Sequence, residues 1–197
     1  MYKGIAISGK MGAGKTYLAR AISKEWKIPV RSFAAALKAD VDHALYEAGL
    51  NYAEGLIVEQ NKPLLRGMLQ DWGVIFRKLN GEDHWVNRLF EANKTPFVID
   101  DMRFKNEFEA CQARGIFTVR LDVTEQTRLR RLGIRGIQNT THISETDLDT
   151  WDSRFDMVIP WNVTQTDDAV PYFFEQAKRF AWDIPAPKPP RNRSLAL

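Results

Sequence analysis

Residues Gly9, Lys10, Met11, Gly12, Ala13, Gly14, Lys15 and Thr16 stand in a row. They fit the pattern G-x-x-x-x-G-K-[ST], in which a glycine-rich loop turns backbone N–H groups inward around phosphate oxygens. A lysine in the place of Lys15 reaches β- and γ-phosphates. A hydroxyl in the place of Thr16 can ligate Mg²⁺. The chemistry is the gripping of a nucleoside triphosphate. An apolar run, Tyr2–Ser8, precedes the loop and a helical pattern, Lys15–Trp26, follows it. That is the strand–loop–helix context the motif needs, and the helix presents its positive end to the same anion. A chance glycine-rich turn would have to match both motif and context.

A metal-holding carboxylate is expected at the end of a second buried strand. Pro96–Asp100 is such a run, with Asp101 next to it. Neighbours on a strand face opposite ways, so from the residues alone either Asp100 or Asp101 could join Thr16 at the metal. A solvated strand end is the other reading. No N-K-x-D guanine-reading motif is present, which points to ATP rather than GTP as the nucleotide.

A second substrate needs its own groups. Arg66, Gln70, Gly73 and Arg77 are spaced four, three and four apart. At ~100° per residue they share an arc of about 60° on one helix face. Arginines suit phosphate, glutamine suits a base or sugar edge, and glycine leaves room. A solvated face with chance arginines is the alternative. Arg128, Arg131 and Arg135 also share a side, until Gly133 and Gly136 loosen the chain. They suit a short lid, about 128–145, that closes on a transferring phosphate and excludes water. A solvated basic helix face is the bland alternative. In His142-Ile143-Ser144-Glu145, Ser144 reads as a helix cap with Asp147 three residues on. Phe33, Trp72 and Trp85 could stack on a base, or simply fill core. Cys111 fits a buried helical position.

These groups need a scaffold, and the pattern supplies one. Short apolar runs at Tyr2–Ser8, Ile28–Phe33, Pro96–Asp100, Ile116–Leu121 and Phe155–Pro160 alternate with helical stretches. The helical stretches are Lys15–Trp26, Ala35–Ala48, Pro63–Leu79, Asp83–Ala92, Asn106–Arg114, Thr124–Leu132 and Asp167–Trp182. Alternation of this kind predicts an α/β fold: a five-stranded parallel sheet covered by helices on both faces. The stretch from about 35 to 95 is a helical insertion between strands two and three. In Pro63–Leu79, residues Leu65, Met68, Leu69, Trp72, Ile75, Phe76 and Leu79 form an apolar stripe.

The chain has 197 residues, 44% hydrophobic and 27% charged, which suits one domain over residues 1–183. One cysteine excludes an internal disulfide framework, and three histidines argue against structural zinc. No apolar run is long enough for a membrane span, and the start lacks signal-peptide architecture. A cytoplasmic setting is the expectation. The net charge of +3 is matched by Lys188, Arg191 and Arg193 in a proline-rich tail, 184–197, that contains no acid. The body is formally neutral, so composition offers no case for nucleic-acid binding. The tail reads as flexible.

Taken together, the blocks GKMGAGKT at 9–16, SFAAALK at 32–38, RGMLQDWGVIFR at 66–77, HWVNRL at 84–89, DMRFKNE at 101–107 and HISETDL at 142–148 carry a resemblance. The chain resembles the phage-type deoxynucleoside monophosphate kinases, a branch of the P-loop NTPase fold, from residue 9 to about 160. The resemblance implies ATP as donor with Mg²⁺, and a deoxynucleoside 5′-monophosphate (dNMP) as small-molecule acceptor. It implies a helical NMP-binding insertion, host cytoplasm as the setting of a phage-encoded enzyme, and room for a homodimer. Gly9–Thr16 then hold ATP, and Lys15 with Arg128, Arg131 and Arg135 serve catalysis. Phe33, Arg66, Gln70, Gly73, Arg77, Trp85, Asp101, Arg103, Ser144 and Glu145 would line the acceptor site. Asp101 is favoured over Asp100 at the metal, as the counterpart of the family's D-V-R-F aspartate. Met102 and Lys105 depart from the family's valine and proline. A kinase of a coenzyme A precursor or shikimate, or a DNA-stimulated ATPase using the tail, are the alternatives.

Overall fold

The structure, a computed structural model, describes residues 1–50, 55–94, 96–133, 142–166 and 168–184. Five strands, β1 (Ile5–Ser8), β2 (Val30–Arg31), β3 (Val98–Met102), β4 (Phe117–Leu121) and β5 (Met157–Ile159), form one sheet. Their order is β2-β3-β1-β4-β5, and every pairing is parallel. Parallel strands need crossovers, which are helical here. The helices are α1 (Lys15–Trp26), α2 (Ala34–Glu47), α3 (Ile57–Gln60), α4 (Lys62–Asn80), α5 (His84–Ala92), α6 (Lys105–Ala113), α7 (Glu125–Leu132), α8 (Ile143–Thr146), α9 (Trp161–Thr164) and α10 (Ala169–Ala177).

β1 is apolar up to Ser8 because both faces of the sheet are covered. Ile5 and Ile7 meet Leu18, Ile22 and Phe173 from α1 and α10. Ala6 faces the other way, into a core with Ile99, Phe108 and Cys111. The helices between β2 and β3 have a small core of their own, built on Leu37, Val41, Val58 and Trp85. Leu65, Met68, Leu69, Trp72 and Phe76 of α4 pack against it. Ile75 and Leu79 do not join that core. They are 51% and 76% exposed, because Ile75 lies at the margin of the stripe and Leu79 in the last turn of α4.

Three expected elements change length. β2 is only two residues, because Ser32 and Phe33 already turn into α2. β3 runs through both aspartates to Met102. The expected helix Asp167–Trp182 is α10 alone, ending at Ala177. Trp182 turns back to bridge Tyr2, and its indole N–H donates to the Ala177 carbonyl at 2.8 Å. An aromatic cluster of Tyr2, Trp26, Phe117 and Trp182 favours that return over another helical turn. No helix among the described residues is long and apolar enough to cross a membrane. The tail from residue 185, and Arg135 with residues 134–141 of the expected lid, lie outside the described residues.

Candidate active site

The phosphate loop joins β1 to α1. Gly12 and Gly14 have φ of 81° and 96°, a region that side chains with a Cβ rarely adopt. Gly12 has a second reason to be glycine. A Cβ there would lie 3.1 Å from Leu132 and 3.3 Å from Arg128, so α7 packs directly on the loop. Lys15 is buried and donates to the carbonyls of Gly9, at 2.5 Å, and Lys10, at 3.0 Å. Burial, with Arg103 nearby, lowers its pKa from 10.5 to about 7 against the pull of Glu145, Asp101 and Asp100.

That value has a measurable consequence. At pH 8 the empty loop holds Lys15 mostly neutral, while polyphosphate beside it favours the ammonium form. Binding of ATP at pH 8 is therefore expected to take up between about half and one proton. Calorimetry in buffers of different ionisation enthalpy reads this number as a slope, and Lys15→Met should abolish it. A flat slope in the unmodified chain would contradict the lowered pKa.

The two aspartates separate cleanly. Between Ala6 and Ser8 the β1–β3 register shifts, giving β3 one extra residue. Such an irregularity re-aims side chains. Asp100 accepts a hydrogen bond from the Thr16 hydroxyl at 3.0 Å. Burial and the neighbouring Asp101 raise its pKa. Asp101 instead holds the start of α2, accepting from the Ser32 hydroxyl and from the N–H groups of Phe33, at 2.8 Å, and Ala34, at 3.0 Å. This corrects the preference for Asp101 beside Thr16: its carboxylate is taken up by backbone donors that would otherwise be orphaned. Thr16 and Asp100 offer a hydroxyl and a carboxylate on one side of the loop. Among the described residues no cluster of three or more His, Cys, Asp or Glu could hold a metal. That donor set fits Mg²⁺, which is held by one or two protein groups together with phosphate and water.

A cavity of about 170 Å³ opens between α2, α4, α5 and the segment after β3. Of the expected acceptor residues, Phe33, Arg66, Gln70, Gly73, Arg77, Trp85, Asp101, Arg103, Ser144 and Glu145 all line it. The spacing on α4 therefore does mark one wall. Arg66 stands at the loop side, its guanidinium 3.0 Å from the Met11 sulfur. Phe33 and Trp85 edge the cavity, but each is only 3% exposed and packs into a core, and the Trp85 N–H is committed to the Gly73 carbonyl at 3.1 Å. Gly73 also lets α2 and α4 approach: a Cβ there would lie 3.3 Å from Leu37. The room it leaves serves helix packing as well as the cavity.

Arg77 is not arranged as an open phosphate ligand. It is buried, and donates to Glu107 at 2.8 Å and to Glu82 and Asn106 at 3.2 Å, with its plane over Phe104. Glu107, absent from the sequence-based expectations, is the hub of this corner. It also accepts from the N–H groups of Arg103, at 2.7 Å, and Phe104, at 3.1 Å. Burial pushes its carboxyl up to about 7 against the pull of Arg77. The acid closing the DMRFKNE block was the available signal. Breaking a buried pair from one side costs about 3–5 kcal/mol. Arg77→Ala is expected to lose stability of that order, read as a shifted denaturant midpoint. An unshifted midpoint would show that the pair does not hold this corner.

The arginines of α7 differ from the lid expectation. Arg128 is buried, with NH1 3.4 Å from the Met11 carbonyl. Arg131 donates to the carbonyls of Ala13, at 3.3 Å, and Thr164. Both lie against the phosphate loop rather than over the cavity, because Thr124 caps α7 and Gly12 admits it onto the loop. In α8 the cap is His142, not Ser144: its Nδ1 accepts from the Ser144 N–H at 3.2 Å. Ser144 lies inside the helix and offers its carbonyl to Arg103 at 3.1 Å. Lys10, expected in the loop, pairs through its side chain with Asp149 at 2.7 Å.

Comparison with curated proteins returns no match. Among solved structures, shikimate kinase from Acinetobacter baumannii in complex with shikimate is similar over 92% of this chain and 97% of that one. The identity is 15% and the TM-score 0.54. TT1252 from Thermus thermophilus is similar over 89% and 97%, with 15% identity and a TM-score of 0.50. At these identities the likeness concerns fold, and the fold is that of the phosphate-loop kinases: a five-stranded parallel sheet flanked by helices. A family model described as an AAA domain matches residues 5–151, from β1 through the phosphate loop and the cavity wall to the segment after α8. With more than half of its residues matched, the chain belongs to this AAA-domain family.

Proposed function

We propose that the chain is an ATP-dependent kinase that phosphorylates deoxynucleoside 5′-monophosphates. What carries the reading is a cavity lined by aromatic residues and arginines, two of whose lining residues, Arg66 and Glu145, reach Met11 of a complete phosphate loop. A nucleobase suits Phe33 and Trp85, and a phosphate suits Arg66 and Arg103, the cavity arginines linked to the loop, one by Met11 and the other through Glu145.

In this reading the loop N–H groups and Lys15 grip the β- and γ-phosphates of ATP. Thr16 and Asp100 would hold Mg²⁺, which neutralises phosphate charge when bound. Arg66 and Arg103 orient the acceptor phosphate in line with the γ-phosphoryl group. An oxygen of that phosphate attacks phosphorus, the bond to the β–γ bridging oxygen breaks, and ADP and a nucleoside diphosphate leave. The acceptor oxygen is already anionic, so no general base is required, and catalysis rests on positioning and electrostatics. Arg128 and Arg131 hold the loop in shape from behind, and Arg135 completes the set as a proposed contributor of charge. Arg77 and Asp101 act by fixing the cavity wall.

The test is a coupled ADP-release assay across all dNMPs and NMPs, with shikimate, a coenzyme A precursor and DNA as rivals. Turnover with one or more dNMPs, well above that with the rivals, is expected. Turnover stimulated only by shikimate or only by DNA would replace this reading. Arg66→Ala should raise the acceptor KM by on the order of tenfold or more, as loss of a charged phosphate contact does, with the ATP KM little changed. An altered ATP KM with an unaltered acceptor KM would move Arg66 to the donor side.

A further inference from the structure

The phosphate loop and the acceptor arginine are tied to the same carboxylate. Glu145 Oε2 accepts from the Met11 N–H, inside the loop, at 2.8 Å. Its other oxygen pairs with Arg103. Its side chain is only 6% exposed, so this is no loose surface contact. The segment that follows it is pinned as well. Asp147 accepts from the Lys105 N–H at 2.8 Å, and Asp149 binds Lys10 of the loop and Arg120 of β4. Burial raises the Glu145 carboxyl, but Arg103, the Met11 N–H and Lys15 outweigh it and hold the group below its usual range. It is therefore an anion seated on an anion-binding loop.

We propose that Glu145 is a positioning residue that couples the two substrates, an internal anion whose two contacts are displaced by their two phosphates. The donor half needs only the phosphate loop; the acceptor half rests on the kinase reading above. Loop N–H groups serve one strong acceptor at a time, and a polyphosphate oxygen carries more charge than a carboxylate oxygen. Incoming ATP therefore competes with Glu145 for the Met11 N–H. An acceptor phosphate competes with Glu145 for Arg103. Whichever arrives first loosens the carboxylate, and the second ligand then meets a group held by one contact instead of two. Linkage makes the effect reciprocal.

The test is titration of the full chain with the Mg²⁺ complex of a β,γ-imido ATP analogue, alone and with each dNMP at saturation. In the unmodified chain a bound dNMP should tighten the analogue by roughly fivefold or more. Glu145→Gln keeps the shape and an acceptor for Met11 but removes the charge. It should bind the analogue about threefold or more tightly by itself, and the dNMP effect should fall below about twofold. Glu145→Asp stays charged but is one methylene too short to span both partners, so it too should lose the coupling. Unchanged or weaker analogue binding in Glu145→Gln would overturn the loop-anion role. Equal coupling in all three chains would overturn the bridge. If the analogue binds but no dNMP does, the acceptor assignment and the coupling fall together, while the Glu145→Gln comparison still decides the loop-anion role.

Discussion

Lys15→Ala is expected to reduce ATP-dependent phosphoryl transfer by on the order of 10²–10³ or more, while the chain stays folded. Removing one preorganised donor from a developing negative charge costs that much in comparable sites. Lys15 is also the side chain that reaches the β- and γ-phosphates in the expected motif. The fold should survive for a physical reason visible in its surroundings. The ammonium is buried against carbonyls of the loop itself, and burial has already lowered its pKa to about 7. A lysine whose folded pKa lies below its unfolded value adds stability only above about pH 10.5, and that contribution is lost as pH falls toward 7. Near neutral pH the side chain is thus a cost to folding, partly offset by its two hydrogen bonds. A thermal midpoint within a few degrees of the parent, with turnover near background, is the expected pair of results. Near-normal turnover in the folded variant would remove the phosphate loop from the reaction.

Asp100→Asn and Asp101→Asn should fail in different ways. Asp100 faces Thr16, and its raised pKa means that folding gains nothing from its charge. Its replacement should lower Mg²⁺-dependent turnover by on the order of 10²-fold or more, with stability kept. Asp101 supports the start of α2 through three hydrogen bonds. An amide can accept from only part of that set and brings a donor toward N–H groups that also donate. About 1–2 kcal/mol of stability should go, as for a lost helix cap, with a smaller and indirect loss of turnover. Parallel thermal melts and Mg²⁺ titrations of turnover read both axes. The reverse ranking would return the metal-side role to Asp101.

How much was legible beforehand follows from the range of each interaction. The strand–loop–helix around Gly9–Thr16 is local in sequence, so motif and hydrophobic pattern were enough to locate β1, the loop and α1. The face Arg66–Gln70–Gly73–Arg77 is fixed by helical geometry and indeed lines one cavity wall. Which of these side chains is open to a ligand was not legible. Arg77 is claimed by Glu107, thirty residues away in sequence, and that pairing exists only once α4 and α6 meet.

Asp100 and Asp101 show the same limit. Sequence placed them on a strand with opposite faces, but the strand order that sets β3 beside β1, and the register shift within that pair, decided which meets Thr16. α7 was visible as a helix, yet only its seat on Gly12 showed that Arg128 and Arg131 brace the loop. Glu145 was legible as a candidate, but it reaches back 134 residues to Met11 and 42 to Arg103. The sequence by itself determined the local elements and the chemical types available, because propensity, periodicity and motif act within a few residues. Tertiary structure decided which groups share partners, because hydrogen bonds and ion pairs depend on distances that long-range packing alone sets.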